Sequence, residues 1–247
     1  MKQKKIKLSA IRTLPPNEIS EEEIREGLPK RIKTLAEIQD KFYAQHKFSL
    51  LLIFQGMDAS GKDGAIKHVF SGLNPAGCRV KSFKVPSEEE ASHDFLWRIH
   101  KECPEKGMIQ IFNRSQYEDV LVPWVNKKVG KKDLRERMNS INEFERLLEK
   151  NNTIILKFYL HVSAEEQQKR IEERKNNPDK RWKYNESDSL DSLLRKDYSR
   201  VYEAIFDRCS KIPWNVIPSD KNWYKNHLII ELILKELEKY KIEYPQR

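Results

Sequence analysis

The sequence predicts an α/β fold, a parallel five-stranded sheet with helices on both faces. Three observations carry this. Short apolar runs alternate along the chain with segments whose hydrophobic residues recur at helical spacing. The first apolar run, Phe48–Phe54, is hydrophobic at every position but Ser49, as suits a buried central strand. That run leads straight into a glycine loop and then a helical stretch, the order that a phosphate-binding loop requires.

In chain order, the residues up to about 19 are polar and carry Pro15-Pro16, so they read as an arm over the surface. Ser20 with Glu23 three residues on is a capping-box signal. A helix is expected over Lys30–Gln45, with Ile32, Leu35, Ile38 and Phe42 on one side. After the first strand, Lys62–Gly72 reads as a helix, Arg79–Val85 as a strand, Glu88–Glu102 as a helix and Gly107–Phe112 as a strand. Lys131–Lys150 is a long helix whose Met138, Ile141, Phe144 and Leu148 share a face. Thr153–Val162 is an apolar strand and Ala164–Lys175 a helix. A polar stretch, 176–187, separates it from a helix over Leu190–Arg208, a short strand at Trp214–Ile217 and a last helix over Trp223–Tyr240. No linker or repeat divides the chain, so 1–247 is read as one domain, with 1–45 as arm and first helix and 174–190 as a lid.

The balance of 47 basic and 38 acidic residues leaves a net charge of +9, which suits a polyanionic partner. Cys78, Cys103 and Cys209 are odd in number and widely spaced, which argues against zinc and against disulfides and for a reducing, cytoplasmic setting. No signal peptide and no membrane-spanning run is present, so no membrane partner is expected.

The loop FQGMDASGKDGAIKHVF, Phe54–Phe70, departs from the common G-x-x-x-x-G-K-[ST] pattern. Gly56 opens it, Gly61-Lys62 closes it, and Asp63 stands where a hydroxyl is usual. Backbone N–H groups from Met57 through Ala59, Ser60 and Gly61 to Lys62 can converge on phosphate oxygens, and Lys62 adds a positive charge. A carboxylate inside such a cradle repels its ligand unless a cation lies between them. Magnesium takes one or two carboxylates plus phosphate oxygens, so Asp58 is the candidate metal ligand. Asp63 could serve the same metal; as a cap on the following helix it needs no ligand, and that is the preferred reading.

Two further stretches belong with the loop. In IFNRSQYEDVLVPW, Ile111–Trp124, residues Asn113, Arg114 and Ser115 follow a strand and emerge at the carboxyl edge of the sheet, where open α/β folds bind ligands. Arg114 would direct a fork of donors at phosphate, and Glu118 and Asp119 could orient a nucleophile or a metal-bound water. In RKNNPDKRWKYNESD, Arg174–Asp188, five cations and two aromatics surround a proline turn between helices, where nucleotide kinases carry a closing lid. Trp97, Trp124, Trp214 and Trp223 read as core or interface residues, and His93 and His100 have too few companions to hold a metal.

Four motifs together, GMDASGKDG (Gly56–Gly64), FNRSQYEDVL (Phe112–Leu121), KRWKYN (Lys180–Asn185) and WNVIPSDKNWYKN (Trp214–Asn226), resemble the polyphosphate kinase 2 family over nearly the whole chain. The resemblance implies a P-loop kinase fold like that of thymidylate kinase, with a helical lid. It implies Mg²⁺-dependent, reversible phosphoryl transfer between inorganic polyphosphate and the nucleotides AMP, ADP and ATP, in a homo-oligomer. By the family pattern Asp58 is the metal ligand, Lys62 the loop lysine and Arg114 the arginine after the third strand. Gly64 closes the loop motif, and Arg174, Lys180, Arg181 and Lys183 match the lid cations. Many members have Asp where this chain has Asn113, which removes a second metal carboxylate. Many also have W-Y-N where this chain has Gln116-Tyr117-Glu118, and the glutamate form resembles the subgroup that phosphorylates both AMP and ADP.

Two rival classes remain at this point. An ATP-dependent nucleoside monophosphate kinase would share the loop, sheet and lid, but not Asp58, Asp63 or the surplus of positive charge. A nucleic-acid-binding module would share the charge, but no aromatic ribonucleoprotein signature or zinc-finger spacing is present, so no nucleic-acid partner is expected.

Overall fold

The computed structural model describes residues 5–184 and 192–246. Five strands, β1 (Ser49–Gln55), β2 (Cys78–Ser82), β3 (Ile109–Asn113), β4 (Thr153–His161) and β5 (Trp214–Pro218), form one sheet in the order β2-β3-β1-β4-β5. All four pairings are parallel. β1 is central and all seven of its residues are buried, in keeping with the apolar run Leu50–Phe54.

Its side chains alternate between two cores. Leu51 and Ile53 face a layer built from α5 (Glu118–Val125), α6 (Lys131–Lys150) and α8 (Arg195–Arg208). Leu50, Leu52 and Phe54 face a layer built from α1 (Glu21–Gln45), α2 (Lys62–Val69) and α9 (Asn222–Leu237). Among the described residues the remaining α-helices are the short α3 (Glu88–Ser92) and α4 (Trp97–His100), and α7 (Ala164–Asn176). Trp214 joins the first core and Trp223 a small cluster with Ile24 and Tyr224, while Trp124 packs on the rim.

α5 has no counterpart among the expected helices, and two expected helices differ in extent or continuity. α1 begins at Glu21, with the Ser20 hydroxyl accepting from the Glu23 N–H, and continues through Pro29. A proline interior to a helix loses one backbone bond. Here Ile24, on the turn before Pro29, is buried against Trp223 and Tyr224, and that packing holds the extra turns in place. The single helix expected over Glu88–Glu102 is instead α3 and α4. His93 is extended (φ −103°, ψ 175°), and the Asp94 carboxylate accepts from the Leu96 N–H in a local turn that competes with helix. The arm also docks: Leu8 is buried in the first core and its N–H donates to Glu203 of α8.

Candidate active site

Because β1 and β3 are neighbours, the loop that follows one lies beside the turn that follows the other. Phe54 pairs with Asn113 in register, and the Arg114 N–H donates to the Phe54 carbonyl at 3.0 Å. This brings Asp58 and Arg114 together across 56 positions of sequence, with Arg114 Nη2 at 2.5 Å from Asp58 Oδ1. Arg114 itself has φ +66°, a left-handed conformation that aims its side chain back over the loop.

The loop's glycines are required by geometry. Gly56 has φ +147° and Gly61 φ +92°. A Cβ on Gly56 would lie 2.8 Å from the Leu160 carbonyl, and one on Gly61 would lie 2.4 Å from Lys225 Nζ. Gly64 is different: it is exposed, and a Cβ there would meet nothing within 4 Å. Met57 and Ala59 are buried in the loop wall. Ser60 is fully buried, with its N–H bonded to the Met57 carbonyl and its hydroxyl turned inward. Lys62 is buried at the first turn of α2, where its ammonium donates to the carbonyls of Gly56 (2.7 Å) and Met57 (3.1 Å).

The acids divide into three environments. Burial alone would raise the Asp58 carboxyl, but Lys62 and Arg114 outweigh it and hold it below the usual range. Glu118 goes the other way, since burial pushes its carboxyl up more than Arg114 and Lys62 pull it down. In the orientation that satisfies both ends of its amide, Gln55 donates to Glu118 Oε1 at 2.9 Å and accepts from Ser115. Asp63 is not the helix cap: Gly61 occupies that position, and the Asp63 carboxylate accepts from Asn113 Nδ2 at 2.6 Å instead. Asp119 is turned away into an ion pair with the buried Arg98 at 3.1 Å.

The Asp58–Arg114 pair forms part of the wall of two clefts. One, of about 460 Å³, is lined by Gly56, Met57, Glu118, Leu121, Val122, Gln167, Tyr198 and Tyr202. The other, of about 1120 Å³, is lined by Gly61, Lys62, Asp63, Lys84, Asn113, Arg174 and Trp182, among others. Of the expected lid cations, Arg174 reaches this second cleft. Lys180 pairs with Glu173 at 2.5 Å and Arg181 bonds the Lys175 carbonyl, both on exposed surface away from the cleft lining. The Lys183 side chain, Asn185 and the rest of the expected lid to residue 190 lie outside the described residues, as does the expected helix start at Leu190. Arg79 and Lys81 are paired with Glu105 and Glu102, while Lys84 lines the second cleft.

Several contributors escape a reading of the sequence alone. Gln167 and Arg170 of α7, Arg195 and Tyr202 of α8, and Lys225 of α9 all converge on the loop or the first cleft. Each is one polar residue among several on its helix. A partial signal existed only for Lys225, which lies inside the motif Trp214–Asn226.

A single carboxylate flanked by the cations Lys62 and Arg114 suits magnesium, which takes one or two carboxylates and completes its shell with phosphate oxygens and water. Asp58 Oδ1 is engaged by Arg114, its side chain is 20% exposed toward the clefts, and its second oxygen is available to such an ion. Among the described residues no group of three or more acidic, His or Cys side chains gathers into an all-protein metal cage.

Parallel sheet, glycine loop at the start of a helix, buried loop lysine and paired clefts define a P-loop kinase fold, that of a phosphotransferase. The chain belongs to the polyphosphate kinase 2 family, whose sequence model matches residues 18–245. It is 45% identical to the AMP/ADP-polyphosphate phosphotransferase of Meiothermus ruber, over 90% of this chain and 84% of that one. It is 39% identical to the ADP-polyphosphate phosphotransferase of Rhodopseudomonas palustris, over 92% of this chain and 83% of that one. The crystal structure of polyphosphate kinase 2 from Arthrobacter aurescens TC1 superposes with a TM-score of 0.94 at 36% identity, covering 98% of this chain and 88% of that one.

Proposed function

We propose that this chain transfers the terminal phosphoryl group of inorganic polyphosphate to ADP and to AMP, reversibly and with Mg²⁺. The observation that carries the reading is the Asp58–Arg114 pair in the common wall of two clefts, with Lys62 behind it. A transfer between two anions needs donor and acceptor to meet in line beside charged groups, and both clefts open onto this pair. The larger cleft, with Lys62, Lys84 and Arg174, suits a phosphate chain. The smaller one, with Leu121, Val122, Tyr198 and Tyr202, offers apolar and aromatic surface for a nucleotide.

In this arrangement an oxygen of the nucleotide's terminal phosphate attacks the terminal phosphorus of the chain in line. The new P–O bond forms as the bridging P–O bond breaks, and the chain leaves one phosphate shorter. Arg114 and Lys62 stabilise the charge that spreads over the transferred group. Asp58 orients Arg114 and, with phosphate oxygens, would hold Mg²⁺. When bound, the ion supplies charge neutralisation between the two substrates. Glu118, at the entrance of α5, sets how the acceptor phosphate enters from the nucleotide side. The loop residues Gly56, Met57, Ala59 and Gly61 would form the cradle, Asp63, Gly64 and Asn113 its outer rim, and Arg174 closes the second cleft on the side of the expected lid. Three free cysteines suit a reducing compartment such as the cytoplasm, and no helix among the described residues is long and apolar enough to cross a membrane.

The test is chromatography of reactions with polyphosphate and Mg²⁺, with AMP in one tube and ADP in another. ATP from ADP, together with ADP and ATP from AMP, is expected. ATP from ADP alone would keep the reaction and reject the dual acceptor. Transfer to AMP from ATP but not from polyphosphate would overturn the donor.

A further inference from the structure

The carbonyl side of the phosphate loop is tied down by side chains almost residue by residue. Lys62 donates to the carbonyls of Gly56 and Met57, Gln167 to that of Asp58 (3.0 Å), Arg170 to that of Ala59 (3.1 Å) and Lys225 to that of Gly61 (3.1 Å). A peptide whose carbonyl is held on one side presents its N–H to the other. Apart from the Ser60 N–H, which bonds the Met57 carbonyl, the row of anchors therefore orients the loop amides before any ligand arrives, which is the condition for binding phosphate with little reorganisation.

Lys225 is the anchor with the least structural reason to be a lysine. It is 1% exposed, and its two acceptors, the Gly61 carbonyl and Asn222 Oδ1 (2.8 Å), are both neutral. Burying an ammonium without a carboxylate is expensive, and an apolar side chain of similar length would fill the same space more cheaply. The neighbouring Arg170 is held differently, with Glu166 at 2.7 Å and the carbonyls of Ser219 and Asp220 completing its fork. Gly61 is also shaped by Lys225, since a Cβ at that position would lie 2.4 Å from Nζ. The ammonium thus abuts the residue that precedes the first turn of α2, directly behind the anion-binding end of the helix.

We propose that Lys225 is a positioning residue for the reaction: through the Gly61 carbonyl it holds the phosphate loop in its anion-binding shape and places a positive charge behind it. This rests on the phosphate-loop role proposed above. The groups that face Lys225 are Arg170 and Glu166 from α7 and Lys62 from α2. Burial, helped by Arg170 and Lys62 and opposed by Glu166, pushes the lysine down to about 7. The charged form is therefore lost as pH rises through neutrality, and an anion in the loop favours its return.

The experiment uses full-length wild type, Lys225→Met and Lys225→Arg. It measures binding of inorganic tripolyphosphate by calorimetry, kcat and KM for phosphoryl transfer, and the melting temperature, from pH 6 to 9. Lys225→Met is expected to weaken tripolyphosphate binding about ten- to a hundredfold, the range for a lost charge-assisted hydrogen bond, with a melting temperature equal to or above wild type. Lys225→Arg is expected to restore binding and to remove the part of the wild type's weakening that occurs above about pH 7. Should the bulkier arginine not fold beside Arg170, Arg170→Gln tests the adjacent anchor, with the same weakening expected. Wild-type binding and KM in Lys225→Met would overturn the proposal. A wild type that takes phosphate only from ATP would overturn the polyphosphate reading instead, and the same comparison made with ATP would still decide the role of Lys225.

Discussion

Two acid–base pairs are joined by one short stretch of chain, Arg114–Glu118, and they do opposite things. Lys157 and Glu145 meet at 2.8 Å with side chains 0% and 3% exposed. Every direction around them is closed: Lys157 also donates to the Tyr117 hydroxyl and the Cys209 carbonyl, and Glu145 accepts from Tyr117 and Gln116. Arg114 and Asp58 meet at 2.5 Å with side chains 39% and 20% exposed, and a cleft opens on either side. The first pair is complete without a ligand, whereas the second keeps donors and an acceptor oxygen facing the clefts. The segment Arg114–Glu118 spans both, so the closed pair serves as the footing on which the open one stands. Interior charge is structural when its hydrogen-bonding capacity is filled from within, and available for chemistry when it is not.

Breaking the closed pair should therefore have the largest effect, and on stability. Lys157→Met leaves the Glu145 carboxylate buried without its cation and should cost about 3–5 kcal/mol in denaturant unfolding. Replacing both, as Lys157→Met with Glu145→Leu, should recover most of that loss. A double variant as unstable as the single one would show that the surrounding Tyr117 and Gln116, rather than the pair, set the cost. The open pair should respond in rate. Lys62→Ala or Asp58→Ala is expected to lower kcat by at least about 10²–10³-fold, with melting temperatures close to wild type. Near-normal turnover in either would remove that residue from the chemistry and leave Asp58 as only an arginine's counter-ion.

What could be read from the sequence follows from how local each signal is. The central strand, the glycine loop and the long helix Lys131–Lys150 were legible because their patterns repeat within a few residues. That Asp58, Lys62, Arg114 and Glu118 would meet at one edge of the sheet was legible because each follows a strand end in a recognisable motif, and the sheet order brings those ends together. Gln167, Arg170 and Lys225 were not, because one polar residue among others on a helix looks like solvated surface until the helix is docked. Asp63 misled for a related reason: an acid in the first turn reads as a cap, yet here Asn113 on the adjacent strand claims it. The break at His93-Asp94 was hidden because a short polar side chain that takes over backbone bonding looks, in sequence, like any other surface position.

Glu118 tests the boundary between the two regions, since it stands one residue beyond Tyr117 of the closed network and lines a cleft of the open one. Its carboxyl is raised above the ordinary 4.5, first by burial. A carboxyl raised in the folded state contributes stability below its unfolded value and loses that contribution as pH rises through the folded value. Ionised Glu118 is therefore a burden on the fold at neutral pH. Glu118→Gln keeps the shape and removes the charge, so its melting temperature should exceed wild type at pH 7 and match it below about pH 4. Its kcat should fall about tenfold, and unequally for AMP and ADP if the side chain sets how the acceptor phosphate enters. Equal melting temperatures at pH 7 would mean that Arg114 and Lys62 already offset the burial in full. A gain in stability with unchanged kinetics for both nucleotides would place Glu118 with the closed pair, as footing rather than as part of the site.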